Sequence, residues 1–91
     1  MMTQYIQKGI YETTELDGEF IILNTDDYTI TKLNDVGGYC WSKLNEVQTV
    51  ATLTKNLIEK FSINGDETQV ERDMEEFLEN LLQCGLIQYA D

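Results

Sequence analysis

Histidine and proline are absent from this 91-residue chain, and bases are scarce: 6 Lys and Arg stand against 17 Asp and Glu, a net charge of −11. Each shortage excludes something. Without His, the commonest general base and the commonest zinc ligand are missing. So acidic a chain repels phosphate, which argues against sequence-independent nucleic-acid binding. No apolar run approaches the roughly 18 residues of a membrane helix, so no membrane partner is expected. Met1 to Ile10 has neither the basic start nor the apolar core of a signal peptide. The two cysteines, Cys40 and Cys84, therefore read as reduced thiols of a cytoplasmic protein. Both lie in apolar helical patterns, where free Cys packs as a small hydrophobe. With no His to activate it, neither reads as a nucleophile.

What is present suffices for one domain spanning residues 1–91. Hydrophobic residues make up 42% of the chain, enough for a core and too many for a disordered segment. The first third reads as strands. Tyr5–Glu12 is rich in Ile and Tyr, and Glu15-Leu16-Asp17-Gly18 is a hairpin-turn signal. Glu19–Leu23 is apolar on both faces, as for a covered or central strand. After the turn Asn24–Asp27, Tyr28–Leu33 is β-branched and aromatic with polar interruptions and suits an edge better than a centre. Together they predict an antiparallel three-stranded meander with the second strand central.

Three helices follow. The first starts at Asn34 or Asp35, with Val36, Cys40, Leu44 and Val47 as its stripe and Trp41 widening it. Gly37-Gly38 inside it costs about 2 kcal/mol relative to alanine, which implies a close backbone approach by the sheet. The second runs from Thr49 to Phe61 with Val50, Leu53, Leu57, Ile58 and Phe61 inward, and Ser62–Gly65 breaks it. The third opens at Asp66, with Gln69 placed for a capping box. Its stripe is Val70, Met74, Phe77, Leu78, Leu81 and Leu82, and Gly85 ends it with Leu86-Ile87 as the accompanying apolar contact. This helix also carries Asp66, Glu67, Glu71, Asp73, Glu75, Glu76 and Glu79 against the single base Arg72. Such a face is either simply solvated or attracts a basic peptide.

No catalytic constellation emerges: there is no phosphate loop, no Cys-x-x-Cys pair and no His-Glu helix motif. Asp26-Asp27 lacks the alternate oxygen ligands that calcium needs. The chain reads as a binding module with no enzymatic activity, no cofactor and no metal. The unblunted edge of Tyr28–Leu33 carries one charge, Lys32. It is either hidden by the N-terminus or a homodimer partner, or it accepts an extended peptide as a fourth strand.

The stretch Leu33-Asn34-Asp35-Val36-Gly37-Gly38-Tyr39-Cys40-Trp41 resembles the Leu-Asn-x-x-Gly-x-x-x-Trp signature of the PqqD family, the peptide-recognition domains of ribosomal peptide maturation. Val70–Leu78, Leu81-Leu82 and Gly85-Leu86-Ile87 are similar to that family's third helix and its ending. The resemblance spans Tyr5 to Ile87. It implies an α+β, winged-helix-like fold, with a three-stranded antiparallel sheet followed by three helices. It implies binding of a precursor's leader segment, which is handed to modifying enzymes. The partner is a radical enzyme with an iron–sulfur cluster in the quinone-cofactor pathway. In the lasso-peptide pathway it is a cysteine protease with an ATP-dependent cyclase. Carried over by resemblance, the peptide contacts are Tyr28, Thr29, Ile30, Thr31, Lys32 and Leu33 on the third strand, and Val70, Asp73, Met74 and Phe77 on the third helix. Gly38 stands where the family usually has a larger apolar residue, and Thr31 where an aromatic often sits. The end at Asp91 reads as a freestanding version. The rival readings are a dimerising adaptor and a degenerate winged-helix regulator.

Overall fold

The computed structural model describes residues 2–9, 11–63 and 65–90. Ile10 and Asn64, expected in the first strand and in the break after the second helix, lie outside them. In chain order the elements are β1 (Tyr5–Gln7), β2 (Glu12–Leu16), β3 (Glu19–Asn24), β4 (Thr29–Leu33), α1 (Asp35–Lys43), α2 (Val50–Phe61), α3 (Glu67–Gln83) and β5 (Ile87–Tyr89). A β2-β3-β4 meander with β3 central packs through β3 and β4 against α1. The expected α+β architecture is present.

The strand expected over Tyr5–Glu12 is two strands. A bend at Lys8-Gly9 separates β1, which leaves the meander and pairs antiparallel with β5, Tyr5 opposite Tyr89. The meander's first strand is instead Glu12–Leu16, exposed throughout. Leu86-Ile87 does more than seal a cap. Leu86 N–H reaches Leu81 C=O and Gly85 N–H reaches Leu82 C=O, a Schellman ending, and Ile87 then starts β5.

The meander's register follows from its first turn. Asp17 and Gly18 have φ of 52° and 78°, the two positive values of a type I′ two-residue hairpin. Leu16 and Glu19 are therefore a hydrogen-bonded pair, and pairs alternate from there. Glu19, Ile21 and Leu23 point their backbone groups at β2. Phe20, Ile22 and Asn24 point theirs at β4, opposite Leu33, Thr31 and Thr29. The same parity turns Phe20, Ile22, Thr31 and Leu33 toward the helices, and Ile21, Leu23 and Ile30 to the sheet's other face. The first of these faces is the one that α1 covers.

The helices begin as their caps direct. Asn34 Oδ1 accepts Gly37 N–H at 2.8 Å, Thr49 and Thr52 form a reciprocal box, and Asp66 accepts Thr68 N–H. Gln69 does not complete a box with Asp66. Its amide donates forward to Asp73 Oδ1 at 3.0 Å. The core comprises Ile22, Cys40, Trp41, Leu44, Leu53, Leu57, Met74, Leu78, Leu81, Leu86 and Ile87. Several expected core residues are not in it: Phe61 is exposed at the end of α2, and Val50, Ile58, Val70, Phe77 and Leu82 are only half-buried. Val47 is exposed because α1 ends at Lys43, and Val36, in the helix's first turn, is exposed too. Cys84, at the α3 C-cap, is exposed as well.

Gly38 lies against the sheet as its cost in helix propensity implied. A Cβ there would fall under 3.0 Å from three carbons of the Phe20 ring. Phe20 occupies the volume that a larger residue at 38 would take.

Candidate functional site

β4 lies at the margin of the meander, with β3 on one side. By the parity above, Thr29, Thr31 and Leu33 face β3 with their backbone groups. The N–H and C=O of Ile30 and Lys32 face away from it. Two adjacent outward positions form a short template for another strand. The opposite margin, β2, carries Glu12 and Glu15 among five residues; β4 carries only Lys32. The less charged margin is the one that leads into a cleft.

That cleft opens where β4 runs into α1. It measures about 470 Å³ and is walled by Lys32, Leu33 and Asn34, by the first turns of α1, by Leu57 and Ile63, and by α3. The α3 stripe is wider than one interface needs because it serves two. Met74, Leu78 and Leu81 are buried in the core, whereas Val70 and Phe77 are half-buried and turn their flank to the cleft. Gly37 keeps the far wall close. A Cβ there would meet Leu33 Cβ at 3.3 Å and Phe77 Cε1 at 3.4 Å. Cys40 forms part of the lining; burial pushes its thiol up to about 11, so it is a protonated, apolar surface at neutral pH. The ionisable groups at the rim are opposite in sign and come from opposite walls, Lys32 from β4 and Asp73 from α3.

Of the ten residues expected to bind, Lys32, Leu33, Val70, Asp73, Met74 and Phe77 converge on this cleft. Thr29, Ile30 and Thr31 continue along β4 away from it. Tyr28 is not a strand residue; it ends the β3–β4 turn with φ +58°. The expectation missed Asn34, Val36, Gly37, Cys40, Leu57 and Ile63. Four of those six lie within the Leu33–Trp41 stretch, so the motif itself was the available signal. Ile63 follows α2 in what read only as a helix break.

Fold and site together define a small α+β domain with an open edge strand leading into an apolar cleft. The chain belongs to the PqqD family: the family of coenzyme PQQ synthesis protein D matches residues 19–87. Two solved structures share the fold. TbiB1 in complex with the TbiA(beta) leader peptide is 26% identical, with a TM-score of 0.79, and the match covers 94% of this chain and 99% of that one. A lasso peptide synthetase B1 complexed with the leader peptide is 17% identical, with a TM-score of 0.76 over 92% and 96% of the two chains. No curated protein sequence matches the chain. Among the described residues, no helix is long and apolar enough to cross a membrane.

Proposed function

We propose that this chain binds the leader segment of a ribosomally made precursor peptide as a strand added to β4, and presents it to maturation enzymes. The observation that carries this reading is one juxtaposition: the outward backbone groups of Ile30 and Lys32 lead directly into the apolar cleft of Leu33, Val70, Met74 and Phe77. The two solved relatives, each in complex with a leader peptide, support it. The likeness to a lasso peptide synthetase favours a lasso-type product, with a peptidase and a cyclase as the enzymes served, over the quinone-cofactor product. The domain acts in this reading as a cytosolic carrier with no catalytic group of its own.

Magnitudes show why the cleft is needed. Four hydrogen bonds to Ile30 and Lys32 contribute about 0.5–1.5 kcal/mol each. Ordering five leader residues costs about 1–2 kcal/mol each. The ladder alone falls short by several kcal/mol. Each apolar side chain buried on binding returns about 1.5–3 kcal/mol, so two or three such contacts are required.

Proline at Ile30 removes one outward N–H and leaves the β3–β4 ladder intact. Binding of a fluorescent leader, followed by anisotropy, is expected to weaken at least tenfold while the melting curve keeps its shape. Thr31→Pro is different, because Thr31 pairs with Ile22 of the central strand, and it should disrupt the hairpin. Unchanged affinity in folded Ile30→Pro places the peptide elsewhere. A dimer that Ile30→Pro dissolves, in a chain that binds no leader, supports the adaptor reading instead.

The acidic face of α3 has a separate kinetic test. If Asp73 and Glu76 steer a basic leader, the association rate falls as salt rises, because screening shortens the reach of surface charge to about 8 Å at physiological ionic strength. Asp73→Asn with Glu76→Gln should give the high-salt rate already in low salt, with little change in dissociation. Stopped-flow rates that stay equal for both proteins between about 20 and 500 mM salt remove the steering role.

A further inference from the structure

Tyr28 is an unusual residue for its backbone. It closes the loop between β3 and β4 with φ +58°, a conformation that Gly and Asn adopt readily and a bulky aromatic seldom does. Its side chain is 89% exposed. Among the described residues its ring meets no other ring or cation, and its hydroxyl has no hydrogen-bond partner. The turn does not depend on it. Asp27 Oδ1 accepts the N–H and the hydroxyl of Thr29 at 3.2 and 2.6 Å, and Asn24 Oδ1 accepts Asp26 N–H at 3.0 Å. Among the described residues, nothing offsets the strained backbone or covers the ring.

Its position relative to β4 supplies a use. Tyr28 stands immediately before Thr29, at the end of β4 opposite the cleft. Five residues at roughly 3.4 Å each separate the two ends by about 17 Å. A leader strand paired with Ile30 and Lys32 spans that distance and meets the cleft at one end and the Tyr28 ring at the other. The leader also needs more than one apolar contact to offset its ordering cost, and the cleft lies at one end of the strand only.

We propose that Tyr28 is a second side-chain contact for the leader: its ring packs on an apolar leader residue about five positions from the one seated in the cleft. This rests on the reading that the leader pairs with β4. An aromatic ring suits the task, since it offers large contact area with few rotatable bonds. Asp26 and Asp27 precede it in the loop, so an acidic leader residue is disfavoured there. The strain is retained because binding uses the ring where it stands.

The test uses peptides selected from a random 20-residue library on the wild-type chain, together with Tyr28→Gly, Tyr28→Asn and Tyr28→Phe. Tyr28→Gly and Tyr28→Asn should melt at the same temperature or up to about 5 °C higher, because both relieve the positive-φ penalty. They should bind the selected peptide about five- to tenfold more weakly, as for loss of one exposed aromatic contact. Tyr28→Phe should bind within about twofold of wild type, since the ring and not the hydroxyl makes the contact. Selection repeated on Tyr28→Gly should keep the apolar preference at the cleft position and lose the one about five residues away. Wild-type affinity in Tyr28→Gly, with Ile30→Pro still impaired, overturns this proposal and leaves the β4 reading standing. A melting temperature lowered by more than about 5 °C in Tyr28→Asn shows a structural role for the ring and overturns it too. A library that yields no binder on the wild-type chain overturns both readings.

Discussion

Trp41→Ala is expected to unfold most of this domain at moderate temperature. Trp41 is 3% exposed and joins three elements. Its indole N–H donates to Thr13 Oγ1 of β2 at 3.3 Å. Its ring lies 6.0 Å from that of Tyr11, and its carbonyl accepts the Gln7 side-chain amide of β1 at 2.9 Å. Truncating a large buried aromatic costs about 3–5 kcal/mol. A domain this size has about 5–15 kcal/mol in all, with small ones near the low end. Urea titration by circular dichroism should show a midpoint far below wild type. Trp41→Phe separates the contributions: it keeps most of the packing and loses the indole hydrogen bond, worth about 0.5–1.5 kcal/mol. A Trp41→Ala protein that melts normally would remove Trp41 from the core.

Gly38→Ala is the second large effect, and its sign runs against helix propensity. In an open helix, alanine for glycine adds about 1 kcal/mol of stability. Here the new Cβ overlaps Phe20, including the ring carbon nearest its backbone, so the ring cannot simply swing its tip aside. Forced repacking of this kind costs typically about 1–3 kcal/mol, occasionally more. The net expectation is destabilisation by about 1–2 kcal/mol, a fall in melting temperature of several degrees. A double-mutant cycle isolates the cause. Phe20→Ala alone destabilises, but adding Gly38→Ala to it should restore about 1 kcal/mol, because the propensity gain is no longer opposed. A destabilisation that persists without Phe20 would locate the conflict elsewhere.

The same glycine illustrates how far the residues alone could be read. Two glycines inside an apolar helical pattern implied a close approach, and the approach is there. Which ring makes it could not be read, because Phe20 and Gly38 are distant in sequence and meet only when α1 packs on β3. The third helix shows a similar division. Its apolar stripe was legible from periodicity alone. That Leu78 and Leu81 go to the core, Val70 and Phe77 to a cleft, and Met74 to both, depends on what lies opposite each flank. The expected binding residues were legible on β4 and α3. Leu57 and Ile63 were not: Leu57 reaches the cleft from a helix whose own pattern reads as core, and Ile63 from the segment after it, which reads only as a helix break.

Local features were settled by the chain itself, because each rests on neighbours within a few residues. The caps at Asn34, Thr49 and Asp66, the Asp17-Gly18 turn, the order of the meander and the acidic face of α3 are of this kind. The tertiary structure decided what depends on distant partners. β1 and β5 are three residues each, too short for any periodicity, and exist because Tyr5 and Tyr89 are brought side by side. Ile30 and Lys32 turn their backbone groups outward only through a register carried from the first hairpin across β3. A shift of one residue would reverse that parity and close the edge. The cleft likewise needs β4, α1, α2 and α3 docked at once, and no single segment encodes a space between four.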